Sequence, residues 1–222
     1  TGRPVNASYA TDGSTAVVEL ASTCGLALLP GGDPAPMTST TEGLGDAIRA
    51  ALDDDPSRLI VCLGGSASTD GGTGLLVTLG ARLLDAAGAP VPPGGGWLPR
   101  IVDVDLSGLD PRLRDTVITI AADVTSRLFG PDGAAAVFAP QKGATPAQVD
   151  LLRGRLNRLA QMYQQEYGVD VREIPGTGAA GGLAGGLVAL GGRLQPGFEL
   201  VADELDLHDH ILQSDFVITG EG

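Results

Sequence analysis

The densest group of residues able to bind an anion covers residues 64–74, with the sequence GGSASTDGGTG. It directly follows the apolar run RLIVCL, which is typical of a buried strand, and precedes the helix-like run LLVTLGARLL. Glycines let a backbone turn sharply, and the start of a following helix offers unpaired N–H groups. Ser66, Ser68 and Thr69 add hydroxyls, and Asp70 adds one carboxylate. This segment therefore predicts an anion site that carries an acid or a base.

The segment matches neither of the two common phosphate-binding motifs. The pattern GxxxxGKS/T is absent, because the single lysine of the chain, Lys142, is followed by glycine, and the glycine register does not give GxGxxG. A tight turn that serves backbone geometry alone remains the alternative interpretation of residues 64–74.

A second polar cluster, AADVTSRLFGPDGAA, covers residues 121–135 and is followed by FAPQKGAT. Asp123 comes after the apolar run VITIA, the position from which α/β proteins project functional carboxylates. Lys142 lies in a glycine-bounded turn, where its ammonium would contact a phosphate or a carboxylate. A solvated turn lysine is the other interpretation of Lys142, and the residues alone leave both open.

A third glycine-rich segment, PGTGAAGGLAGGLVALGG, covers residues 175–192. A glycine inside a helix costs about 1 kcal/mol relative to alanine, so close packing or ligand approach must compensate. We expect tight helix-to-sheet contact at Gly185 and Gly186. Gly178, Gly181 and Gly182 lie at the start of the predicted helix and are predicted to form a second anion site.

The elements that must position these clusters are short apolar runs alternating with helix-like stretches, a pattern that predicts an α/β fold. Strands are predicted at residues 15–20, 58–63, 117–121 and 215–219, in a mixed or mostly parallel sheet flanked by helices. The clearest helix begins at Thr145, with Pro146 in its first turn. Its apolar stripe recurs at steps of three and four residues, at Val149, Leu152, Leu156, Leu159 and Met162.

Composition excludes several classes of function. The net charge is −13 and the basic residues are scattered, so the surface would repel nucleic acid. His208 and His210 have no further histidine or suitable cysteine to complete a zinc site, and neither follows a nucleophile elbow. Cys24 and Cys62 have no disulfide-framework spacing, and no apolar run is long enough for a membrane span. We therefore expect a cytoplasmic protein with no membrane contact.

Read in chain order, the motifs resemble those of the glycerate kinase family, of the bacterial glycerate 2-kinase type. The resemblance runs from Gly2 to Gly222 and includes GRPV, TAVVELASTCGLALL, GGSASTDGGTGLLVTLGA, AADVTSRLFGPDGAA, FAPQKGAT, PGTGAAGGLAGGL and DFVITGEG. It implies ATP-dependent phosphorylation of D-glycerate, with 2-phosphoglycerate as the expected product and Mg²⁺ accompanying ATP. Enzymes of the family resemble two lobes with the site between them. Residues 1–222 are expected to form the inserted α/β lobe, residues 219–222 to enter the hinge, and this lobe alone to be inactive.

The resemblance also implies roles for individual residues. Asp70 is the expected base or metal-side carboxylate, Lys142 offsets developing charge, and Asp123 and Glu221 are expected to contact Mg²⁺ or a hydroxyl. The expected substrate-binding set is Gly64, Gly65, Ser66, Ser68, Thr69, Gly71, Gly72, Gly181, Gly182 and Glu221. The chain departs from the family pattern at Thr69, Ala122, Ser126 and Arg127 and retains Asp70, Asp123, Lys142 and Glu221.

Two other classes remain open at this stage. A non-catalytic module that binds a small carboxylate or phosphate would share the glycine-rich turn without using ATP. A dinucleotide-dependent oxidoreductase fits the α/β pattern but lacks the glycine fingerprint, and it ranks well below the others. The residues do not indicate the oligomeric state, the phosphorylated hydroxyl of glycerate or the lobe that holds adenine.

Overall fold

A computed structural model describes residues 2–220 of the chain. Within them the strands are β1 (Ala10–Thr11), β2 (Thr15–Glu19), β3 (Arg58–Cys62), β4 (Arg82–Leu84), β5 (Asp103–Asp105), β6 (Val117–Ala121) and β7 (Arg193–Gln195). The α-helices are α1 (Leu20–Cys24), α2 (Glu42–Leu52), α3 (Thr73–Thr78), α4 (Ala134–Phe138), α5 (Pro146–Tyr167), α6 (Leu183–Ala189), α7 (Gly197–Glu204) and α8 (Leu207–Leu212). Short 3₁₀ turns link several of these elements.

The central sheet has the strand order β1-β2-β3-β6-β7. Only β1 is antiparallel to its neighbour, and the other pairs are parallel. The register pairs Glu19 with Cys62, Cys62 with Ala121, and Ala121 with Gln195. Four strands therefore end together at one carboxyl edge, the place where α/β proteins bind ligands. The prediction of an α/β fold with a mostly parallel, helix-flanked sheet is confirmed.

The two faces of the sheet are covered differently. Side chains alternate between the faces of a strand, and Leu59 and Val61 of β3 join the large core that also contains apolar residues of α2, α3, α5 and α6. Ile60 belongs instead to a small cluster with Leu200 of α7. The helices that begin at the glycine-rich segments are thus packed on the thickly covered face.

The long helix α5 follows its sequence signals closely. Thr145 and Gln148 form a capping box, Pro146 occupies the first turn, and Gly168 ends the helix with a left-handed φ of 73°. Of the predicted apolar stripe, Val149 is half-buried and the other four residues are buried. Helix α5 therefore packs one face on the core, as predicted, and its N-terminus follows directly from the turn that carries Lys142.

The strand predicted at residues 215–219 does not form. This segment has no regular secondary structure, and Phe216 and Ile218 are 80% and 86% exposed. A β-strand needs a neighbour for its N–H and C=O groups, and no strand within residues 2–220 lies beside it. The apolar character of the segment misled the prediction, because apolar residues indicate burial without identifying a partner.

Candidate functional site

The glycine-rich segment of residues 64–74 connects β3 to α3, as the sequence predicted, but the structure divides it into two parts. Gly64 and Gly65 are exposed at the carboxyl edge of the sheet. Residues 66–74 turn inward and are buried. We call residues 64–65 the exposed tip and residues 66–74 the buried half, because the two parts offer different chemistry.

The exposed tip and Ser66, the first residue of the buried half, have backbone amides without an acceptor in the described chain. Within residues 2–220, the amides of Gly64, Gly65 and Ser66 donate to no acceptor, whereas the next amide, that of Ala67, bonds to the Cys24 carbonyl oxygen at 3.0 Å. Gly65 has a φ of 59°, the left-handed region that glycine adopts without strain. Free amides on a turn of this kind can bind a carboxylate or a phosphate.

The Asp70 carboxylate lies wholly inside the buried half. Its Oδ2 accepts hydrogen bonds from the Thr41 amide (3.0 Å), the Thr41 hydroxyl (2.9 Å) and the Gly74 amide (3.1 Å). Its Oδ1 accepts from the Gly72 amide at 3.1 Å. Burial raises the pKa of the Asp70 carboxyl, and the four hydrogen bonds oppose that shift by stabilising the carboxylate.

This geometry gives Asp70 a structural task. The side chain is 0% exposed, so it does not reach a substrate hydroxyl in the folded lobe. A general base must lie within hydrogen-bond reach of the proton that it abstracts. Asp70 instead ties the start of α2 to the start of α3. Its predicted role as the base stays untested, and the geometry supports a positioning role.

Lys142 is buried against the same segment. It is 2% exposed, and its Nζ donates to the Ser66 hydroxyl at 2.7 Å and to the Ser68 carbonyl oxygen. Burial lowers the pKa of the Lys142 ammonium from 10.5 to about 8, and the charge of Asp70 opposes this effect. The alternative of a solvated turn lysine is therefore wrong. The amine lies directly behind Ser66, at the junction between the tip and the buried half.

Two predicted substrate contacts are enclosed. Ser68 and Thr69 are 0% exposed, and within the described chain their hydroxyls have no hydrogen-bond partner. Neither hydroxyl is therefore accessible to a small anion at the surface. Ser66 retains 8% exposure and is the hydroxyl of this segment nearest to solvent.

Gly71, Gly72, Gly181 and Gly182 hold two backbone segments together. The Gly71 amide donates to the Gly181 carbonyl oxygen at 3.1 Å, and a Cβ on Gly181 would lie 2.3 Å from the Ser68 carbonyl oxygen. All four glycines are buried with positive φ. The Gly71 and Gly72 amides are thus committed to internal acceptors, and Gly181 and Gly182 act here through close packing. The prediction that the latter form a second anion site has no support in this geometry.

Asp123 follows β6 and is exposed at the carboxyl edge, where the sequence placed it. Cys62 of β3 pairs with Ala121 of β6, so Gly64 and Asp123 each come two residues after the last paired position of neighbouring strands. The Asp123 Oδ1 accepts from the Gly197 amide at 2.7 Å. The side chain also lines a cavity of about 240 Å³ together with Ala122, Val124, Thr125, Pro175, Gly176, Leu194, Gln195 and Pro196. Asp123 is therefore the predicted catalytic carboxylate that a ligand can reach.

Sequence reasoning missed Thr41. Its hydroxyl donates to Asp70 and accepts from the Leu75 amide at 2.9 Å, so one side chain joins α2, α3 and the buried half. The available signal was local: Thr41 precedes Glu42 at the start of an amphipathic helix, a typical N-cap position. That signal predicts a helix start and does not reveal the long-range contact with Asp70.

A larger cavity, of about 600 Å³, lies between the N-terminal segment and α2. Its volume is in the range of small-molecule sites. Its lining carries charges of both signs, from Arg3, Glu42 and Asp46, and includes the buried hydroxyl of Ser39, which has no partner within the described residues. This mixed lining does not select one class of ligand.

Glu221, one of the two predicted metal ligands, lies outside the described residues. Within residues 2–220, no group of three His, Cys, Asp or Glu side chains is arranged to hold a metal ion. None of the helices in that part of the chain combines the length and apolarity required to cross a bilayer.

Comparison with known proteins identifies the family. The model of the glycerate kinase family matches residues 1–222. The chain belongs to the glycerate kinase family. It is 45% identical to the protein named glycerate 2-kinase of Escherichia coli K12 and 44% identical to the glycerate kinase of Bacillus subtilis 168, covering 100% of this chain and 59% of each relative.

A solved structure of a family member has the same fold. The crystal structure of a protein described as glycerate kinase 2 of Salmonella typhimurium LT2 superimposes with a TM-score of 0.91 at 43% identity. The match covers 96% of this chain and 58% of that protein. The chain thus spans somewhat more than half the length of the glycerate kinases that it matches.

Proposed function

We propose that this chain supplies one lobe of an ATP-dependent glycerate 2-kinase that converts D-glycerate to 2-phosphoglycerate. The observation that carries the proposal is that the amides of Gly64, Gly65 and Ser66, which have no acceptor within residues 2–220, and the exposed carboxylate of Asp123 follow neighbouring strands at the same carboxyl edge of the sheet. The names of the relatives support the reaction class, because the similarity extends over the whole chain.

The proposed site assigns different tasks to these groups. The amides of the exposed tip bind the glycerate carboxylate or the transferred phosphoryl group. Below its pKa of about 8, Lys142 carries a positive charge behind Ser66 and strengthens that anion site, since a charge in a dry environment is weakly screened. Asp123 accepts the proton of the glycerate hydroxyl or holds the metal. The hydrogen bonds of Asp70 fix the backbone of the buried half, so that the tip adopts one conformation.

ATP and Mg²⁺ enter as the co-substrate and the metal of this proposed reaction. Mg²⁺ in phosphoryl-transfer sites commonly uses one or two carboxylates and the substrate phosphates, and the exposed carboxylate of Asp123 fits this pattern. The bound metal would neutralise charge on the phosphates. Glu221, the other predicted ligand, follows the described residues directly in the chain.

The domain assignment is also a proposal: residues 1–222 form the inserted lobe of a longer enzyme, and the chain after residue 218 leads into the hinge. The relatives are longer than this chain by a large margin. The apolar side chains of the C-terminal region are also exposed, with Phe198 at 73%, Leu212 at 70% and Ile218 at 86%. A second lobe packed against them would remove this apolar surface from water.

A chimera tests the proposal. The segment of E. coli glycerate 2-kinase that aligns with this chain is replaced by residues 1–222, and ADP formation is followed with D-glycerate and MgATP. We expect turnover dependent on D-glycerate, with 2-phosphoglycerate identified by NMR, and no turnover by the chain alone. A chimera that folds, as judged by circular dichroism, yet makes no product contradicts the proposed reaction. Turnover by the isolated chain contradicts the partial-lobe assignment.

One alternative function is also supported by the structure: a module that binds a small carboxylate or phosphate without catalysis. The free amides of the tip and the charge of Lys142 lie within this chain, whereas about 40% of the relatives' length lies outside the match. Calorimetry of the chain with D-glycerate, phosphate and ATP distinguishes the two functions. Binding of the small anions together with an inactive chimera favours the binding module.

A further inference from the structure

Ser66 and Lys142 form a pair whose chemistry does not depend on kinase activity. The two atoms Ser66 Oγ and Lys142 Nζ are 2.7 Å apart. A hydroxyl in direct contact with a buried amine is the arrangement that activates serine nucleophiles in enzymes with a lysine base. We propose that Ser66 and Lys142 form a nucleophile–base pair that accepts an acyl group from small, activated esters and transfers it to water.

The surroundings of Lys142 favour the neutral amine that a base requires. No carboxylate within residues 2–220 forms an ion pair with Lys142, and its other acceptor is the Ser68 carbonyl oxygen. Desolvation lowers the pKa of Lys142 to about 8, so a substantial fraction of the amine is neutral at pH 8. A neutral amine keeps N–H groups for the Ser68 carbonyl oxygen and offers its lone pair to the Ser66 proton.

The neighbouring backbone can stabilise the charge that develops on an ester. The amides of Gly65 and Ser66 have no acceptor in the described chain, and they flank the hydroxyl that would attack. Two free amides beside a nucleophile can stabilise a tetrahedral oxyanion. Ser66 is 8% exposed, which restricts the reaction to small acyl groups such as acetyl.

The proposed reaction balances with an ester and water alone. Ser66 Oγ bonds to the acyl carbon as its proton passes to Lys142 Nζ. The alcohol oxygen of the ester leaves with the bonding electron pair and takes that proton, which leaves an acyl ester on Ser66. Water then bonds to the acyl carbon while Lys142 takes a proton from it. The carboxylic acid is released, and Lys142 returns the proton to Ser66 Oγ.

The test uses 4-nitrophenyl acetate with the complete chain, and it has two readouts: release of 4-nitrophenolate, and location of the acetyl group by mass spectrometry. We expect acetyl on Ser66 of the wild-type chain. Ser66→Ala and Lys142→Met should each slow nitrophenolate release about 10²-fold, the usual contribution of an activated nucleophile or general base. Ser39→Ala is the matched control, because it removes another buried hydroxyl, one that makes no hydrogen bond to Ser66 or Lys142, and it should leave the rate unchanged.

The pH dependence of the rate of nitrophenolate release distinguishes a lysine base from a lysine with only a structural role. The rate should rise with pH with a midpoint near 8, as Lys142 becomes neutral, and this step should disappear in Lys142→Met. Asp70 is the charged group that acts on Lys142 from the same segment. Cys24 of α1 and Tyr163 of α5 are also near Asp70, and burial raises the pKa of each further above that of Lys142.

Three outcomes would overturn the proposal. Acetyl found on Lys142, Cys24 or Cys62 with Ser66 unmodified would show direct reaction of those groups. A wild-type rate in Ser66→Ala would remove the nucleophile. A wild-type rate and pH profile in Lys142→Met would remove the base. Because the location of the acetyl group is read in the wild-type chain, the first outcome stands even where a variant fails to fold.

Discussion

Asp70 and Asp123 follow neighbouring parallel strands, yet they have opposite surroundings. Asp70 is fully buried and accepts four hydrogen bonds from Thr41, Gly72 and Gly74. Asp123 is exposed, accepts one hydrogen bond from Gly197 and lines a cavity. A buried carboxylate that accepts four internal hydrogen bonds stabilises its own surroundings, whereas an exposed carboxylate with one such bond can act on a ligand.

The same contrast separates the two parts of the glycine-rich segment. The buried half contains the densest set of hydroxyls, but its residues are enclosed by the protein. The exposed tip has only Gly64 and Gly65, and their amides donate to no acceptor within residues 2–220. The number of polar residues in a motif is therefore a poor guide to its ligand contacts. The better guide is the number of donors and acceptors that are exposed and also lack an internal partner, because the Ser68 and Thr69 hydroxyls lack a partner within the described residues but are fully buried.

The largest expected effect on stability comes from closing the space at Gly181. A Cβ there meets the Ser68 carbonyl oxygen at 2.3 Å and the Thr69 Cα at 2.6 Å, at a φ of 68°. Gly181→Ala should lower the free energy of unfolding by about 3 to 5 kcal/mol, from left-handed strain together with overpacking. Denaturant unfolding measures it. Gly64→Ala, whose Cβ meets nothing within 4 Å, is the control and should change stability by about 0.5 kcal/mol or less. Equal losses of stability in the two variants would contradict the conclusion that the buried half is tightly packed and the exposed tip is not.

Lys142→Met should change how stability depends on pH. The folded pKa of Lys142, about 8, lies below its ordinary 10.5, so the unfolded chain binds more protons between these values. Wild-type stability should therefore rise relative to the variant as pH increases through this window, by about 3 kcal/mol in total. Urea unfolding of both proteins from pH 7 to 10.5 measures the difference. A constant difference would mean that Lys142 is not desolvated.

Asp70→Asn tests whether the buried carboxylate acts through structure. The Asn amide group would face a backbone donor and leave one of the four hydrogen bonds unmade, so we expect a loss of about 2 to 3 kcal/mol in the free energy of unfolding. Chemical denaturation measures that loss. If Asp70 were the catalytic base, the chimera carrying Asp70→Asn would lose about 10²-fold in kcat with stability unchanged. A loss of kcat with unchanged stability would assign the catalytic role to Asp70 and contradict its structural role.

Asp123→Asn should have the smallest effect on stability. The side chain is exposed and accepts a single hydrogen bond, so the free energy of unfolding should change by about 0.5 kcal/mol or less. In the chimera the same substitution should lower kcat about 10²-fold. Initial rates of ADP formation at saturating D-glycerate and MgATP measure this change in kcat. An unchanged kcat would leave the exposed edge without its proposed catalytic carboxylate.

Elements with strong local signals were predictable. β6 has the bounds that the sequence indicated, β2 and β3 end one residue early, and α5 begins at the predicted Pro146. These elements have patterns that repeat within a few residues. The segment at residues 215–219 failed because its apolar residues need a partner strand that is not among the described residues.

The role of Asp70 could not be predicted for a related reason. Its main partner, Thr41, lies 29 positions away in the chain and looks locally like an ordinary helix cap. Lys142 and Ser66 are separated by 76 positions, and the sequence left a solvated lysine open. Burial and hydrogen-bond partners depend on contacts between distant segments, and no local pattern encodes them.

The sequence by itself determined the α/β class, the parallel strands and the turns that carry Asp70, Asp123 and Lys142, because periodicity and glycine spacing act over a few residues. The tertiary structure alone decided which of these charged groups meets solvent. Packing of α2, α3 and α5 on one face of the sheet encloses Asp70 and Lys142, while the thinner cover near α7 leaves Asp123 open. Accessibility is a property of the assembled layers, and it separates the groups that hold the site from those that can contact a ligand.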